Sequence, residues 1–108
     1  MKVQTLIAAT VIGVAMSSVT WASGEAAAGK EKSAVCAACH GADGNSVAPD
    51  FPKLAGQNED YLSHTIKAYR EKTRTNAIMN GQAASLSDQD IANLSAYFAS
   101  QKGLQVKR

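Results

Sequence analysis

The sequence predicts an all-α fold whose helices are separated by long loops. Three stretches have helical composition or apolar residues at helical spacing, and two of them begin at strong capping residues. No run of alternating apolar and polar residues is present, so no strand is predicted. The longest stretch between the helices is rich in glycine and proline, which end regular structure.

The first 22 residues have the features of a secretory signal peptide. Lys2 provides a positive start, an apolar stretch runs from Leu6 to Met16, and Thr20-Trp21-Ala22 precedes Ser23. The apolar stretch is shorter than a helix that spans a bilayer. We therefore expect cleavage after Ala22, export of one domain over residues 23–108, and no membrane insertion after cleavage. A retained membrane anchor is the alternative.

The charge of the exported domain is nearly balanced. Removal of Lys2 leaves ten Lys and Arg against nine Asp and Glu, a net charge of +1. Nucleic-acid-binding domains usually have a strongly basic face, so no nucleic-acid partner is expected. The remaining 86 residues form a small domain, and such a domain gains only roughly 3–5 kcal/mol from its own core. We therefore expect an added source of stability, such as a disulfide, a metal or a cofactor.

The first helix is predicted from Glu25 to Val35. Ala, Glu and Lys dominate this stretch, and only Gly29 interrupts it. The segment from Gly41 to Gln57 follows, and it contains three glycines and both prolines of the chain. This composition predicts an ordered loop without regular structure.

The second helix is predicted to begin after Asn58, which can cap it. Glu59 and Asp60 then lie in the first turn, at the positive end of the helix dipole. Residues on one predicted face are Tyr61, Leu62, Thr65, Ile66 and Tyr69. Basic residues cluster toward its end, namely Lys67, Arg70, Lys72 and Arg74. This basic cluster has three interpretations: a solvated helix end, a surface for electrostatic docking of a partner, or residues that pair with an acidic group of a cofactor. A second loop is predicted from Thr73 to Gly81.

The last helix has the clearest signals. Ser87 and Asp90 have the spacing of a capping box, and Leu86 and Ile91 that of a hydrophobic staple. Gly103 is predicted to cap its C-terminus. Its buried face is predicted to contain Ile91, Leu94, Tyr97 and Phe98.

Cys36-Ala37-Ala38-Cys39-His40 is the motif that indicates chemistry. Two thiols separated by two residues can form thioethers with the two vinyl groups on one side of a haem. The adjacent imidazole of His40 can then bind the iron. This pattern predicts one covalently attached haem c.

Three other interpretations of the motif are weaker. A thioredoxin-like redox pair is expected between a strand and a helix, whereas here a predicted helix precedes the cysteines. A structural zinc site needs four ligands, and His64 is the only further Cys or His in the exported domain. A disulfide that closes so short a loop stabilises little.

Met79 is the predicted sixth ligand of the iron. It is the only methionine after signal removal, and it lies 39 residues after His40, between Asn76 and Asn80. A lone methionine more often fills a core, but such a methionine is expected on the apolar face of a helix. His64 is the competing ligand. It lies off the apolar face of the second helix, so we expect it to face solvent.

The residues together resemble a known family, the class I bacterial cytochromes c. The match is closest to the small periplasmic single-haem members, which are similar to one half of the related di-haem cytochromes. It depends on Cys36 to Gly44 (CAACHGADG), Pro49 to Gln57 (PDFPKLAGQ), Tyr61-Leu62, Met79, Leu86 to Leu94 (LSDQDIANL) and Tyr97 to Ser100 (YFAS).

The resemblance implies the cytochrome c fold, with three to five helices and long loops around one haem. It implies that the terminal helices cross where Gly29 meets Tyr97. Four residues would hold the haem: Cys36 and Cys39 covalently, and His40 and Met79 as axial ligands. Two more would shape its surroundings: the Pro52 carbonyl would accept a hydrogen bond from the proximal imidazole, and Leu54 would pack on the ring.

The implied function is that of a periplasmic electron carrier, not an enzyme, that exchanges electrons with redox proteins as a monomer or weak dimer. The chain departs from many relatives at Ala77-Ile78-Met79, where proline often precedes the methionine. Loss of the ring predicts a less rigid loop there. A gas-binding or catalytic haem protein with five-coordinate iron, and a subunit of a membrane complex, are the alternatives.

Overall fold

A computed structural model describes residue 5, residues 8–13 and residues 24–104 of the chain. The predicted signal peptide over residues 1–22 therefore lies largely outside the described residues. Five helices form the described part: α1 (Ala26–Lys32), α2 (Ala34–His40), α3 (Glu59–Arg70), α4 (Ala77–Ala83) and α5 (Asp88–Ala99). No strand occurs among these residues, and the all-α prediction is confirmed. In the same ranges, no helix is long and apolar enough to cross a membrane.

The predicted first helix is divided at Ser33, and its second half extends further than expected. The Ser33 hydroxyl donates to the Lys30 carbonyl at 2.7 Å, a side-chain bond that competes with the helical ladder. The Ser33 carbonyl accepts from the backbone N–H of Cys36 at 2.9 Å and so begins α2. The helix then continues beyond Val35 to His40, and it ends at Gly41, whose φ of 83° suits glycine.

The terminal helices α1 and α5 cross at Gly29, as the sequence predicted. Gly29 is buried, and a Cβ atom at this position would lie 2.8 Å from the Cβ of Tyr97. Only glycine allows the two backbones to approach so closely.

The core lies between α3 and α5 and is small. Leu62, Leu94, Tyr97 and Phe98 form its buried cluster, with Ile91 also fully buried. The predicted buried face of α5 is therefore confirmed. The predicted capping residues of α3 and α5 are also present: Asn58 accepts from the Asp60 N–H, and Ser87 and Asp90 form a reciprocal capping box.

Two predictions about helices are wrong. Helix α4 begins inside the second predicted loop, because the Asn76 side chain caps the backbone N–H groups of Ile78 and Met79. Asparagine suits both loops and N-caps, and composition alone did not separate the two. Gly103 is not the cap of α5: the helix ends at Ala99, and its C-cap is Ser100, whose hydroxyl donates to the Tyr97 carbonyl at 2.7 Å. Gly103 instead packs against Ala55, where a Cβ would approach the Ala55 carbonyl oxygen to 2.5 Å.

Candidate haem site

Cys36, Cys39 and His40 lie on one face of α2. Positions separated by three and four residues are neighbours on a helix, and α2 includes all three residues. The two thiols are half-buried and unbonded. This face therefore presents two sulfur atoms and one imidazole in the order that the motif requires.

The environment of the thiols differs from that of a redox-active pair. Burial, and to a smaller degree the neighbouring Cys39, raises the pKa of the Cys36 thiol. A thioredoxin-like nucleophile needs a lowered pKa, which favours the thiolate. Over the described ranges, no group of three or more Cys, His, Asp or Glu is arranged to hold a metal ion, so the zinc interpretation gains no support.

His40 is buried, and its ring is oriented by a carbonyl group. Its Nδ1 atom lies 2.8 Å from the carbonyl oxygen of Pro52. Because a carbonyl oxygen only accepts, Nδ1 must carry the proton and Nε2 has a free lone pair. Phe51 contributes an edge-on contact, with ring centroids 6.3 Å apart. The imidazole is thus prepared to bind a metal through Nε2.

The segment that carries Pro52 is anchored to α5. The hydroxyl of Tyr97 donates to the Ala42 carbonyl at 2.7 Å, and the Gly56 N–H donates to the Phe98 carbonyl at 2.9 Å. Gly44 has a φ of 83°, and a Cβ there would lie 2.8 Å from the Phe98 ring. The position of the Pro52 carbonyl is therefore set by contacts on both sides of it.

Leu54 and Cys36 both pack against the core cluster. Leu54 is partly buried, and its N–H donates to the Gly44 carbonyl at 2.8 Å. The apolar core thus extends from α5 to the cysteine face of α2. A flat apolar ligand attached there would continue this core.

Met79 lies at the third position of α4 and is half-buried. Its N–H donates to the Asn76 side-chain oxygen at 3.0 Å. The preceding Ile78 is 58 % exposed. The competing candidate, His64, is exposed on α3, as expected.

The residues present fit a haem c. Two thiols on one helix face can add to two vinyl groups, an unprotonated imidazole nitrogen suits iron, and a thioether is a soft second axial donor. Leu54, which packs on the same core cluster as Cys36, and the exposed Ile78, which precedes Met79, offer apolar surface that suits a large aromatic ring.

Comparison with known proteins decides the family. The family model described as "Cytochrome c" matches residues 26–102, which is most of the chain. The chain belongs to the cytochrome c family. Membership implies a covalently attached haem c with iron, and Cys36 and Cys39 fit its attachment motif.

Relatives of two lengths are found within the cytochrome c family. Cytochrome c4 of Pseudomonas aeruginosa is 50% identical over 97 residues, which cover 90% of this chain and 48% of that protein. Cytochrome c-554(548) of Halomonas halodenitrificans is 49% identical over 82 residues, which cover 73% of this chain and 99% of that protein. The solved structure of reduced recombinant cytochrome c4 from Pseudomonas stutzeri has a TM-score of 0.72 and 48% identity, and the match covers 75% of this chain and 47% of that one.

The chain thus spans about half the length of the cytochrome c4 relatives and nearly all of a shorter one. This agrees with the predicted resemblance to one half of the di-haem cytochromes. The structural match also confirms the cytochrome c fold.

Some residues of the site were not predicted. Phe51 contacts His40, and the amide side chains of Asn76 and Asn80 bracket Met79. The spacing of Asn76 before Ile78 and Met79 is a capping signal, but it was attributed to a loop. The contact of Phe51 has no signal beyond its place next to Pro52.

Proposed function

We propose that this chain is a periplasmic electron carrier with one haem c, bound through Cys36 and Cys39 and ligated by His40 and Met79. The observation that carries this proposal is the 2.8 Å hydrogen bond between His40 and Pro52 on a helix that also presents both cysteines. It leaves Nε2 free as a ligand, and neither a disulfide nor a thioredoxin-like redox pair needs such a bond.

The chain's own residues tune the redox site. The Pro52 carbonyl holds the His40 ring in one tautomer and raises its basicity as a ligand. The thioether of Met79 would stabilise ferrous iron better than ferric iron and would thereby raise the reduction potential. Bound haem c supplies an iron that changes its charge by one electron. The protein acts by fixing both ligands and limiting water, and this requires no residue that reacts with a substrate.

Export is supported by the signal-peptide features of residues 1–22. The domain that would remain after cleavage at Ala22 includes the first described contacts with α5: the backbone N–H of Glu25 donates to the Asn93 side chain at 2.9 Å, and Gly24 packs against the backbone of Ala92. The mass of the purified protein tests signal cleavage and haem attachment together, because it should equal the mass of residues 23–108 plus one haem. Cell fractionation should place it in the periplasm.

Haem attachment is tested by acidic organic extraction. We expect the red colour to stay with the polypeptide, because thioethers survive this treatment. Cys36→Ala and Cys39→Ala should each lower the yield of holoprotein. Colour that passes into the solvent from the wild-type protein would contradict covalent attachment.

Ligation by Met79 is tested by the spectrum and by substitution. The oxidised protein should show a sulfur-to-iron charge-transfer band and should resist carbon monoxide when reduced. Met79→Ala should abolish the band and admit carbon monoxide. Met79→His should keep six ligands but lower the potential, because imidazole supports ferric iron better than a thioether does. A wild-type protein that binds carbon monoxide readily would favour the five-coordinate alternative.

Redox proteins are the proposed partners, and the basic cluster is a proposed docking surface. Arg70 is engaged by Asp88, at 2.8 Å, and Arg74 lies 5.1 Å from the centre of the Tyr69 ring. Lys67 and Lys72 are therefore the stronger candidates for steering a partner. Charge reversal at Lys72 should slow electron transfer, and added salt should reduce this difference. We propose a monomer or weak dimer, which sedimentation tests.

A further inference from the structure

Asn80 follows Met79 directly, and its side chain makes three hydrogen bonds. Its amide nitrogen donates to the Tyr69 carbonyl at 2.8 Å and to the Arg74 carbonyl at 2.9 Å. Its oxygen accepts from the backbone N–H of Asn76 at 2.9 Å. The one side chain therefore connects the end of α3, the following loop and the start of α4.

Asn76 completes this connection from the other side of Met79. Its side-chain oxygen accepts from the backbone N–H groups of Ile78 at 3.1 Å and Met79 at 3.0 Å. Its carbonyl also accepts from the backbone N–H of Asn80 at 2.8 Å. Starting at Tyr69, a continuous chain of hydrogen bonds reaches Asn80, then Asn76, and then the backbone of Met79.

Helix α4 has little else to hold it. It has seven residues, and so short a helix is marginal without outside contacts. Residues 71–78 are all exposed, and Ala83 is the one fully buried side chain of α4. The packing partner of α4 is α3, the helix to which Asn80 is bonded. Side-chain amide bonds therefore carry much of the placement of Met79.

We propose that Asn76 and Asn80 are positioning residues that hold Met79 in reach of the iron and so set how readily the thioether leaves it. This inference rests on the proposed function, in which Met79 is the sixth ligand. The two amides fix the Met79 backbone relative to α3. Their removal leaves the thioether available but lets its backbone move, which favours the released state.

The size of the effect follows from the bonds removed. Loss of an N-cap weakens a helix start by roughly fivefold in equilibrium terms, so Asn76→Ala should shift the release of Met79 by about that factor. Asn80→Ala removes three bonds, of which the one to Tyr69 is partly buried, and a shift of about tenfold is expected. Asn76→Asp should restore the wild-type behaviour, because Asn76 uses only its oxygen as an acceptor and aspartate caps equally well.

The experiment titrates the ferric holoprotein with imidazole, which competes with Met79 for iron, and follows the sulfur-to-iron charge-transfer band. We expect the apparent imidazole affinity to rise roughly fivefold in Asn76→Ala and about tenfold in Asn80→Ala. Asn58→Ala is the matched control, since Asn58 caps the far end of α3 by the same kind of bond. It should leave the imidazole affinity near the wild-type value.

The outcomes separate this inference from the proposed function. A wild-type protein without the band shows that Met79 is not the ligand, which overturns the ligation and the positioning role together. A wild-type protein with the band, but with unchanged affinity in Asn76→Ala and Asn80→Ala, overturns the positioning role alone. An equal rise in Asn58→Ala also overturns it, because the effect is then general destabilisation. Where Asn80→Ala yields no holoprotein, Asn76→Ala and its Asn76→Asp rescue decide the matter.

Discussion

Two segments lie beside the proposed iron ligands and are held in different ways. One orients His40, and the other carries Met79. The histidine-side segment, residues 41–57, carries the Pro52 carbonyl that orients His40. Main-chain groups anchor it to α5 and to the chain after α5: the Gly56 N–H bonds to Phe98, and the Leu104 N–H bonds to the Ala55 carbonyl at 2.8 Å. Glycines allow these close approaches, as at Gly44.

The methionine-side segment, residues 71–84, has main-chain bonds to α3 only at its start, where the N–H groups of Thr73 and Arg74 donate to the Ala68 carbonyl. Beyond that point the Asn80 side chain links α4 to Tyr69 of α3, and the Asn76 side chain caps the start of α4. A Cβ atom at Gly81 would meet nothing within 4 Å, whereas one at Gly44 would meet backbone and ring atoms. The first segment is thus packed into the core, and the second lies on its surface.

This difference matches the two tasks of a haem site. In the proposed site, the segment that orients His40 must keep its geometry through folding and every redox cycle, and its anchoring to α5 provides that. The face that supplies a sixth ligand by a reversible bond tolerates some looseness. Stability should therefore depend on the histidine-side segment, and ligand exchange on the methionine-side segment.

The largest expected effect on stability comes from a glycine-to-alanine change, and we compare one such change in each segment. Gly44→Ala forces a Cβ within 2.8 Å of the Ala55 nitrogen and the Phe98 ring, at a φ of 83°. We expect it to lower the free energy of unfolding by about 2–4 kcal/mol. Gly81→Ala, in the open space of α4, should raise it by about 0.5–1 kcal/mol. Chemical denaturation of the two holoproteins measures both values.

Gly81→Ala also reports on ligand exchange. Gly81 lies two residues after Met79, so a methyl group added there points away from the Met79 side of α4. A more stable α4 should reduce the imidazole affinity of the ferric protein by a few fold. Equal losses of stability in the two variants would show that the segments are packed alike.

The histidine side was the easier one to predict from sequence. The CxxCH motif and the glycines of residues 41–57 each have a local signal, and each appears in the structure. Pro52 was assigned by resemblance, and the structure places its carbonyl oxygen 2.8 Å from His40 Nδ1. Local signals and the resemblance were enough to identify these residues, although the contacts that anchor them to α5 join residues far apart in sequence.

The methionine side was harder, because asparagine suits both a loop and a helix N-cap, so composition did not reveal α4. The bonds of the Asn80 amide to the Tyr69 and Arg74 carbonyls, which join the segment to α3, have no signal in the sequence. The missing proline predicted a looser loop, but the sequence alone contained no sign of the amide bonds. The division at Ser33 was likewise invisible, since it depends on one hydroxyl bonding to Lys30.

A third difference in stability is expected at Arg70, which links the two helices on which the segments are anchored. Arg70 of α3 donates to Asp88 at 2.8 Å and to the Leu86 carbonyl at 3.1 Å, and so connects α3 with the start of α5. Arg70→Ala should lower the free energy of unfolding by about 1–2 kcal/mol, because a half-buried carbonyl loses its charged donor. Lys72→Ala, with the same charge change at an exposed site, should stay within about 0.5 kcal/mol. Similar losses from both variants would contradict a special role for Arg70.

A smaller effect, this time a gain in stability, is expected from a substitution in α5. Ser95 of α5 is fully buried, and its hydroxyl has no hydrogen-bond partner among the described residues. Ser95→Ala removes this unsatisfied group without leaving a large cavity, so it should raise the free energy of unfolding by about 0.5–1 kcal/mol. Thermal unfolding of the holoprotein measures the gain. A loss of stability would mean that the hydroxyl is satisfied in the holoprotein.

The smallest effect concerns acid and the α3–α5 link. A hydrogen bond from Arg70, and then its charge, hold the pKa of Asp88 below its ordinary value of 3.8, with a minor effect of Lys67. A carboxyl group with a lowered pKa stabilises the folded state above its unfolded pKa, and this contribution disappears as the pH falls through the folded pKa. We therefore expect Asp88→Asn to be less stable than the wild type near pH 7 and equal to it well below pH 3.8. Urea denaturation across this range measures the gap, with Asp50→Asn on the histidine-side segment as the control for a lost surface charge. Because Asp88 is exposed, the gap should be small and should narrow in high salt. A gap that persists unchanged into strong acid would assign the effect to helix capping, not to the charge on Asp88.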